Sequence, residues 1–248
     1  MTVNIMSNYK IFSVISIGQT LSYCISLLRN IMVARLLGPE NFGIASTFLL
    51  LISFLEMLSN FSVEKLIVQS KSGNIPLFQA TTQSVQLYRG AFLSLLLFLL
   101  SGPASMFFHN ENALWAYRII AVSPMIRAFL HLDIKRYHRN SRFLADIVTE
   151  FSSQVVTTIV AVLLCLYFKD YSAMVWAIIT QSCILTLVSH IYSSRRFRVA
   201  LHKKYIVEIM RFGWPLMFNG FLLFFIFQGD RAAVGRFYDM TVLGSYAV

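Results

Sequence analysis

Ionisable side chains set inside long apolar stretches are the residues of this sequence with chemistry available to them. Arg29 and Asn30 lie near the end of the apolar run Ile11–Ala34, Glu56 in the middle of Phe42–Val63, and Asp230 and Arg231 within Phe212–Arg236. Asp146 and Glu150, four residues apart near the start of Phe143–Phe168, share one helical face. A charge in hydrocarbon is costly unless it meets water, a cavity or a partner, so each is a candidate for function. Arg29 has the planar fork that suits phosphate oxygens; its other reading is a side chain snorkelling to the outer surface. Glu56 reads as an ion or proton site, as the partner of a cavity arginine, or as a structural hydrogen bond to a neighbouring helix. Asp146 and Glu150 form a candidate ion-coupling pair, although Asp146 is close enough to the run's end to be merely solvated. Asp230 and Arg231 point about 100° apart on a helix, so each can face a different neighbour. Arg118 and Arg127, nine residues apart in one run, fall on opposite faces and are expected to snorkel.

Other chemistries are not indicated. Cys24, Cys165 and Cys183 all lie in apolar runs without CxxC spacing and read as small core residues. His109, His131, His138, His190 and His202 lack the paired spacing of a metalloprotease, and no Gly-rich phosphate loop is present. No catalytic residue, metal or cofactor is expected, and the chain is not read as an enzyme.

The elements that position these residues are set by composition. Of 248 residues, 57% are hydrophobic and 13% charged, about half the charged share of a soluble domain. The expectation is an all-α, polytopic transmembrane helix bundle. Its complete spans are Ile11–Ala34, Phe42–Val63, Gln86–Phe108, Ala113–His131, Phe143–Phe168, Tyr171–Tyr192 and Phe212–Arg236, with an eighth beginning near Thr241. Pro103, Pro124 and Pro215 fall inside spans, where each removes a backbone hydrogen bond that a neighbour must replace. Trp115, Trp176 and Trp214 near span ends fit an interfacial belt.

The net charge of +10 would suggest nucleic acid in a soluble protein, but here the basic residues sit between apolar runs, where topology accounts for them. With the N-terminus cytoplasmic, Lys10, Lys65, Lys71, Arg89, Lys135, Arg136, Arg139, Arg142, Arg195, Arg196, Arg198, Lys203, Lys204 and Arg211 fall inside, fourteen in all, against Arg35, Lys169 and Arg236 outside. No nucleic-acid partner is expected.

Sliding the sequence by 201 residues places Arg35 on Arg236, Gly43 on Gly244, Arg29 on Asp230 and Asn30 on Arg231. Copies separated by six spans point the same way and are related by an axis along the membrane normal. Residues 1–200 are then expected to form an N-terminal six-span lobe and residues 201–248 the start of a second. On this reading the chain is a fragment of a protein of roughly 400 residues or more.

The stretch Arg29-Asn30-Ile31-Met32-Val33-Ala34-Arg35-Leu36-Leu37-Gly38-Pro39-Glu40-Asn41-Phe42-Gly43 resembles the first-span signature of bacterial polysaccharide flippases. These are the O-antigen and exopolysaccharide translocases of the multidrug/oligosaccharidyl-lipid/polysaccharide exporter superfamily. Gly229-Asp230-Arg231-Ala232-Ala233-Val234-Gly235, continuing to Leu243-Gly244-Ser245-Tyr246, resembles the seventh span and its exit. The resemblance implies a two-lobe, multi-pass protein of the bacterial inner membrane. Such a protein moves polyprenyl-diphosphate-linked oligosaccharide to the outer leaflet for surface polysaccharide, including O-antigen lipopolysaccharide, and this chain supplies the first lobe. It implies the lipid-linked oligosaccharide as substrate, the lipid bilayer as surroundings, and a polysaccharide polymerase and glycosyltransferases as partners. It places Arg29, Asn30, Glu56, Asp230 and Arg231 as candidates at the substrate cavity. A small-cation or multidrug exporter of the same superfamily would want an acidic cavity, against which the intramembrane arginines argue. A membrane-embedded glycosyltransferase or polymerase would want a large polar outer loop, and the outer links here are short.

Overall fold

The computed structural model describes the backbone of residues 5–247 and the side chains of residues 16–247. Lys10 and the first residues of the Ile11–Ala34 span precede the described side chains, and Val248 lies outside the described residues. Every long element is helical, and no strand occurs among the described residues.

The first helix, α1 (Ile5–Leu58), is continuous in hydrogen bonding except at Gly38, whose φ of 74° and ψ of 165° are not helical. Only glycine enters this region without a steric cost, and Pro39, with its fixed φ, starts the next turn. The described apolar stretch Ser16–Leu58 has 43 residues, about 65 Å of helix against roughly 30 Å of hydrocarbon. Gly38 is where it turns back. Gly18 packs on Ile147 and Arg29 bonds Gln154, so the first limb runs parallel to α7 (given below). Gly43 meets Met240, Met57 meets Gly220 and Phe61 meets Gly213, so the second limb descends antiparallel to the helix that follows residue 203.

The chain then forms α2 (Val63–Gln69), α3 (Pro76–Phe107), α4 (Leu114–Ile120), α5 (Ser123–Ala128), α6 (Asp133–Arg136), α7 (Leu144–Phe168), α8 (Ser172–Ile191), α9 (Lys203–Phe237) and α10 (Met240–Ala247). Five helices are long and apolar enough to cross a membrane, and the segments Glu111–Ala128 and Asp133–Asn140, bent by 49°, form a sixth candidate. Each apolar run of the sequence falls on one helix, one limb of α1, or the α4–α5 pair. The apolar windows of α7 and α9 are only 28% and 17% buried within the bundle. Their outward faces carry Ile159, Leu163, Leu166, Phe218, Leu222 and Phe225, a surface suited to lipid rather than water.

Two expected features differ. The third run begins not at Gln86 but at Pro76, which occupies the first turn of α3 where its missing N–H is no loss. The turns added there carry buried Gln79 and Gln83, polar residues that an apolar-run search passes over. Pro124 does lie in the segment Glu111–Ala128 of the sixth candidate, but in the first turn of α5, so it removes no hydrogen bond. Pro103 and Pro215 do lie inside α3 and α9.

The non-helical backbone between α5 and α6 is satisfied from neighbouring helices. Gln83 donates to the Leu130 carbonyl (2.9 Å) and accepts from the Leu132 N–H (3.2 Å). Ser189 Oγ accepts from the His131 N–H at 2.9 Å, and Gln86 donates toward the carbonyls of Arg127 and Ala128. This leaves the backbone paired where the helix breaks, beside the basic end. The main core lies between the second limb of α1, α3, α4, α7 and α8, around Phe48, Leu97, Tyr117 and Ile120. There Tyr117 and Thr47 share a short hydroxyl–hydroxyl hydrogen bond. Of the cysteines, Cys165 belongs to this core, Cys183 is half-buried, and Cys24 is exposed rather than packed.

Charge separates in space as it does in sequence. Lys135 bridges Glu64 (3.2 Å) and Asp146 (2.8 Å). Arg139 donates to the carbonyls of Ile67, Val68 and Ser70, and Arg195 donates to Gln79 and to the Asn74 carbonyl. All these links meet at one end, the basic end. At the other, Arg236 contacts His109 and the Phe107 carbonyl.

Candidate functional site

Arg29 sits on the first limb of α1 facing α7. One guanidinium nitrogen donates to Gln154 Oε1 at 2.9 Å and another to Ser26 Oγ at 3.1 Å. Gln154 Nε2 in turn donates to Glu150 Oε1 at 3.0 Å, and the Arg29 Nε is buried without a partner among the described residues. The three side chains thus form a polar string along the α1–α7 seam. It borders a cleft of about 240 Å³ lined by Ser22, Ser26, Lys135, Asp146, Glu150 and Gln154 among others. Arg29 is held by a neutral amide, so its charge stays uncompensated by direct contact. Asn30 is half-buried beside it on the same limb.

Asp146 and Glu150 line that same cleft, as their spacing predicts, but their environments differ. Asp146 is taken up by Lys135 at 2.8 Å and by His138 Nε2 at 3.3 Å, whereas Glu150 is exposed and accepts from Gln154. A cation would find Glu150 more available than Asp146.

Glu56 belongs to a second crevice, of about 280 Å³, between the second limb of α1, α3 and α5. It pairs with Arg127 through Oε1 at 3.0 Å and Oε2 at 3.2 Å. Arg89 donates to the Glu56 backbone carbonyl and to Ser59 Oγ, both at 3.1 Å. Arg127 does not simply snorkel, as its place near a span end suggested; it turns inward to the carboxylate. Arg118 has no such partner among the described residues and lies over the Phe98 ring at 5.8 Å.

Asp230 and Arg231 form a third group on α9. Asp230 accepts from Tyr246 Oη at 2.6 Å and from the Arg231 N–H at 2.7 Å, tying α9 to α10 across the Tyr238–Asp239 link. Their side chains do not make an ion pair, in keeping with their angular separation. The candidate residues are therefore not one cluster but three, at Arg29, at Glu56 and at Asp230. Gln154, which completes the first, was not singled out in the sequence, and Arg89, which completes the second, was read only as a cytoplasmic charge. Gln154 is the next turn on the Asp146–Glu150 face, a polar residue at i+4 that could have marked it.

The chain is thus an all-helical membrane protein with polar clefts between its helices and one strongly basic end. Residues 32–248 match the family described as polysaccharide biosynthesis protein, and the chain belongs to it. It is similar to the succinoglycan biosynthesis transport protein ExoT of Rhizobium meliloti (strain 1021), with 22% identity over 223 residues, covering 87% of this chain and 44% of that protein. The chain spans less than half the length of that curated relative. No solved structure matches it.

Proposed function

We propose that this chain forms the first six-span lobe and the opening of the second lobe of a translocase of the bacterial inner membrane. It has seven crossings and the start of an eighth, and its N-terminus is cytoplasmic. The cargo is a polyprenyl-diphosphate-linked oligosaccharide destined for surface polysaccharide, made and extended by glycosyltransferases and a polymerase working beside it. Arg29 is the cation that meets the diphosphate, with Asn30 beside it. No covalent step is assigned to the protein; alternating access carries the cargo.

The observation that carries this reading is the setting of Arg29. It lies in the stretch that resembles the flippases' first-span signature, hydrogen-bonded to Gln154 at 2.9 Å and Ser26 at 3.1 Å, two residues that line the cleft, and not to a carboxylate, so its charge is available to an anion. Family membership and the transport relative support the cargo class. The two-lobe arrangement is supported by the 201-residue register and by the contact between its two copies. Gly43 packs on Met240 while Gly244 packs on Pro39, and in that register Met240 is the counterpart of Pro39. Reciprocal contacts of this kind are what a two-fold axis generates.

The test is complementation. In a strain lacking its own polysaccharide flippase, the intact gene is expected to restore surface polysaccharide, and Arg29→Ala to reduce it at least tenfold at equal membrane abundance. Arg29→Lys should retain part of the activity. Unchanged polysaccharide with Arg29→Ala would remove this residue from the mechanism.

A further inference from the structure

At the basic end, a cavity of about 200 Å³ that shares no lining residue with the cleft beside Arg29 is walled by Gln79, Gln83, His131, Arg195, Arg196 and Arg198, with the first turn of α3 at its edge. It contains three arginines and no carboxylate in its lining. The arginines are presented by a segment that is firmly held. Asp133, fully buried, accepts through Oδ2 from the Ser194 N–H at 2.9 Å and the Arg195 N–H at 3.2 Å, and through Oδ1 from Arg136 at 2.7 Å. Phe197 packs beside Phe129, His131 and His190. Arg195 is partly occupied by Gln79 and the Asn74 carbonyl. Arg196 and Arg198 are exposed and have no hydrogen-bond or ion-pair partner among the described residues.

His131 supplies the independent observation. It is 1% exposed, and its Nδ1 accepts from the Asp133 N–H at 3.1 Å, which leaves the ring proton on Nε2. That Nε2 makes no hydrogen bond of good geometry among the described residues, although the Arg195 backbone lies near the ring. A buried N–H donor without a partner is rare in native proteins and calls for a missing acceptor. Here it lines the same cavity as the three arginines. The α3 N-terminus adds to the field: its cap, Ile75, has no side-chain acceptor for the free N–H groups of the first turn, and such an end favours an anion.

The geometry points to a phosphate-group site at the basic end, in which Arg195, Arg196 and Arg198 hold the anion's oxygens and the His131 Nε2–H is its buried donor. The ligand class is a phosphate ester or diphosphate. One source is the headgroup of an anionic phospholipid, since α8 ends at Ile191 immediately before this segment; the other is a soluble phosphate compound.

The experiment measures binding by the detergent-purified chain of dioleoylphosphatidylglycerol, with dioleoylphosphatidylcholine as reference, and separately of inorganic pyrophosphate. Native mass spectrometry reads the lipids and calorimetry reads pyrophosphate. Wild type is expected to prefer phosphatidylglycerol over phosphatidylcholine or to bind pyrophosphate, the first assigning the site to a lipid headgroup and the second to a soluble phosphate. The Arg196→Gln/Arg198→Gln double variant, which alters only exposed side chains, should weaken that binding at least tenfold with an unchanged melting temperature. The Lys203→Gln/Lys204→Gln variant removes equal charge outside the cavity and should weaken it less than twofold. His131→Phe should weaken it as well, and the arginine variant decides the matter if His131→Phe does not fold. Equal losses in the arginine and lysine variants would reduce the effect to a general basic field and overturn the site. So would a wild type that binds neither probe.

Discussion

Gly43 and Gly244 pack backbone against backbone, each so placed that a Cβ would strike the main chain of the other's helix: Met240 for Gly43, Pro39 for Gly244. A methyl group here has no flexible side chain to displace, so the two helix starts must separate. Gly43→Ala and Gly244→Ala are each expected to cost about 1–3 kcal/mol or more, read as a lowered unfolding midpoint in detergent. Gly102→Ala, where nothing lies within 4 Å, serves as the neutral control. Equal stability of all three would contradict the close approach.

The Glu56–Arg127 pair joins the second limb of α1 to α5, with Arg89 hydrogen-bonded to the Glu56 carbonyl. Both partners keep some exposure, at 29% and 46% of their side chains, so the interaction is modest. A double-mutant cycle with Glu56→Gln and Arg127→Met should give a coupling of about 0.5–1 kcal/mol. Additive single effects would show that the pair contributes no coupling.

Asp133 joins α6 to α3, through a bond from Gln79 at 3.2 Å, and to the Ser194–Arg195 segment, and burial works against its charge. The hydrogen bond from Arg136 and those from the Ser194 and Arg195 N–H groups outweigh that penalty and keep its pKa well below the usual carboxylate value. Because the folded pKa lies below the unfolded one, near 3.9, the stabilisation is fully present above about pH 4 and is lost as pH falls toward the folded value. Asp133→Asn should therefore cost about 3 kcal/mol at pH 7 and flatten the decline in stability below about pH 4. An Asp133→Asn acid profile parallel to that of wild type would overturn this assignment.

Gln83 serves both sides of the break between α5 and α6, donating to Leu130 and accepting from Leu132. Gln83→Leu keeps the volume but leaves the Leu132 N–H unpaired and the Leu130 carbonyl with only the long 3.5 Å bond from Gln86, an unpaired buried group costing about 1–3 kcal/mol. The expected result is a large stability loss together with faster amide exchange at Leu132. Protection of Leu132 equal to wild type would show that another acceptor replaces Gln83.

The membrane class, the helical runs and the basic end were legible in the sequence because each depends on composition averaged over a run of residues. A long apolar stretch has few outcomes in or out of a bilayer, and Gly38-Pro39 marks its turn by backbone sterics alone. The meeting of Asp146 and Glu150 in one cleft also followed from helical spacing. Partner choice did not. That Arg29 finds Gln154, that Arg127 turns to Glu56, and that Gln83 closes a gap 47 residues away depends on which helices become neighbours. Residue spacing within one helix says nothing of the helix opposite, so the three separate polar groups and the arginine-lined cavity with its unpaired His131 were decided by tertiary packing.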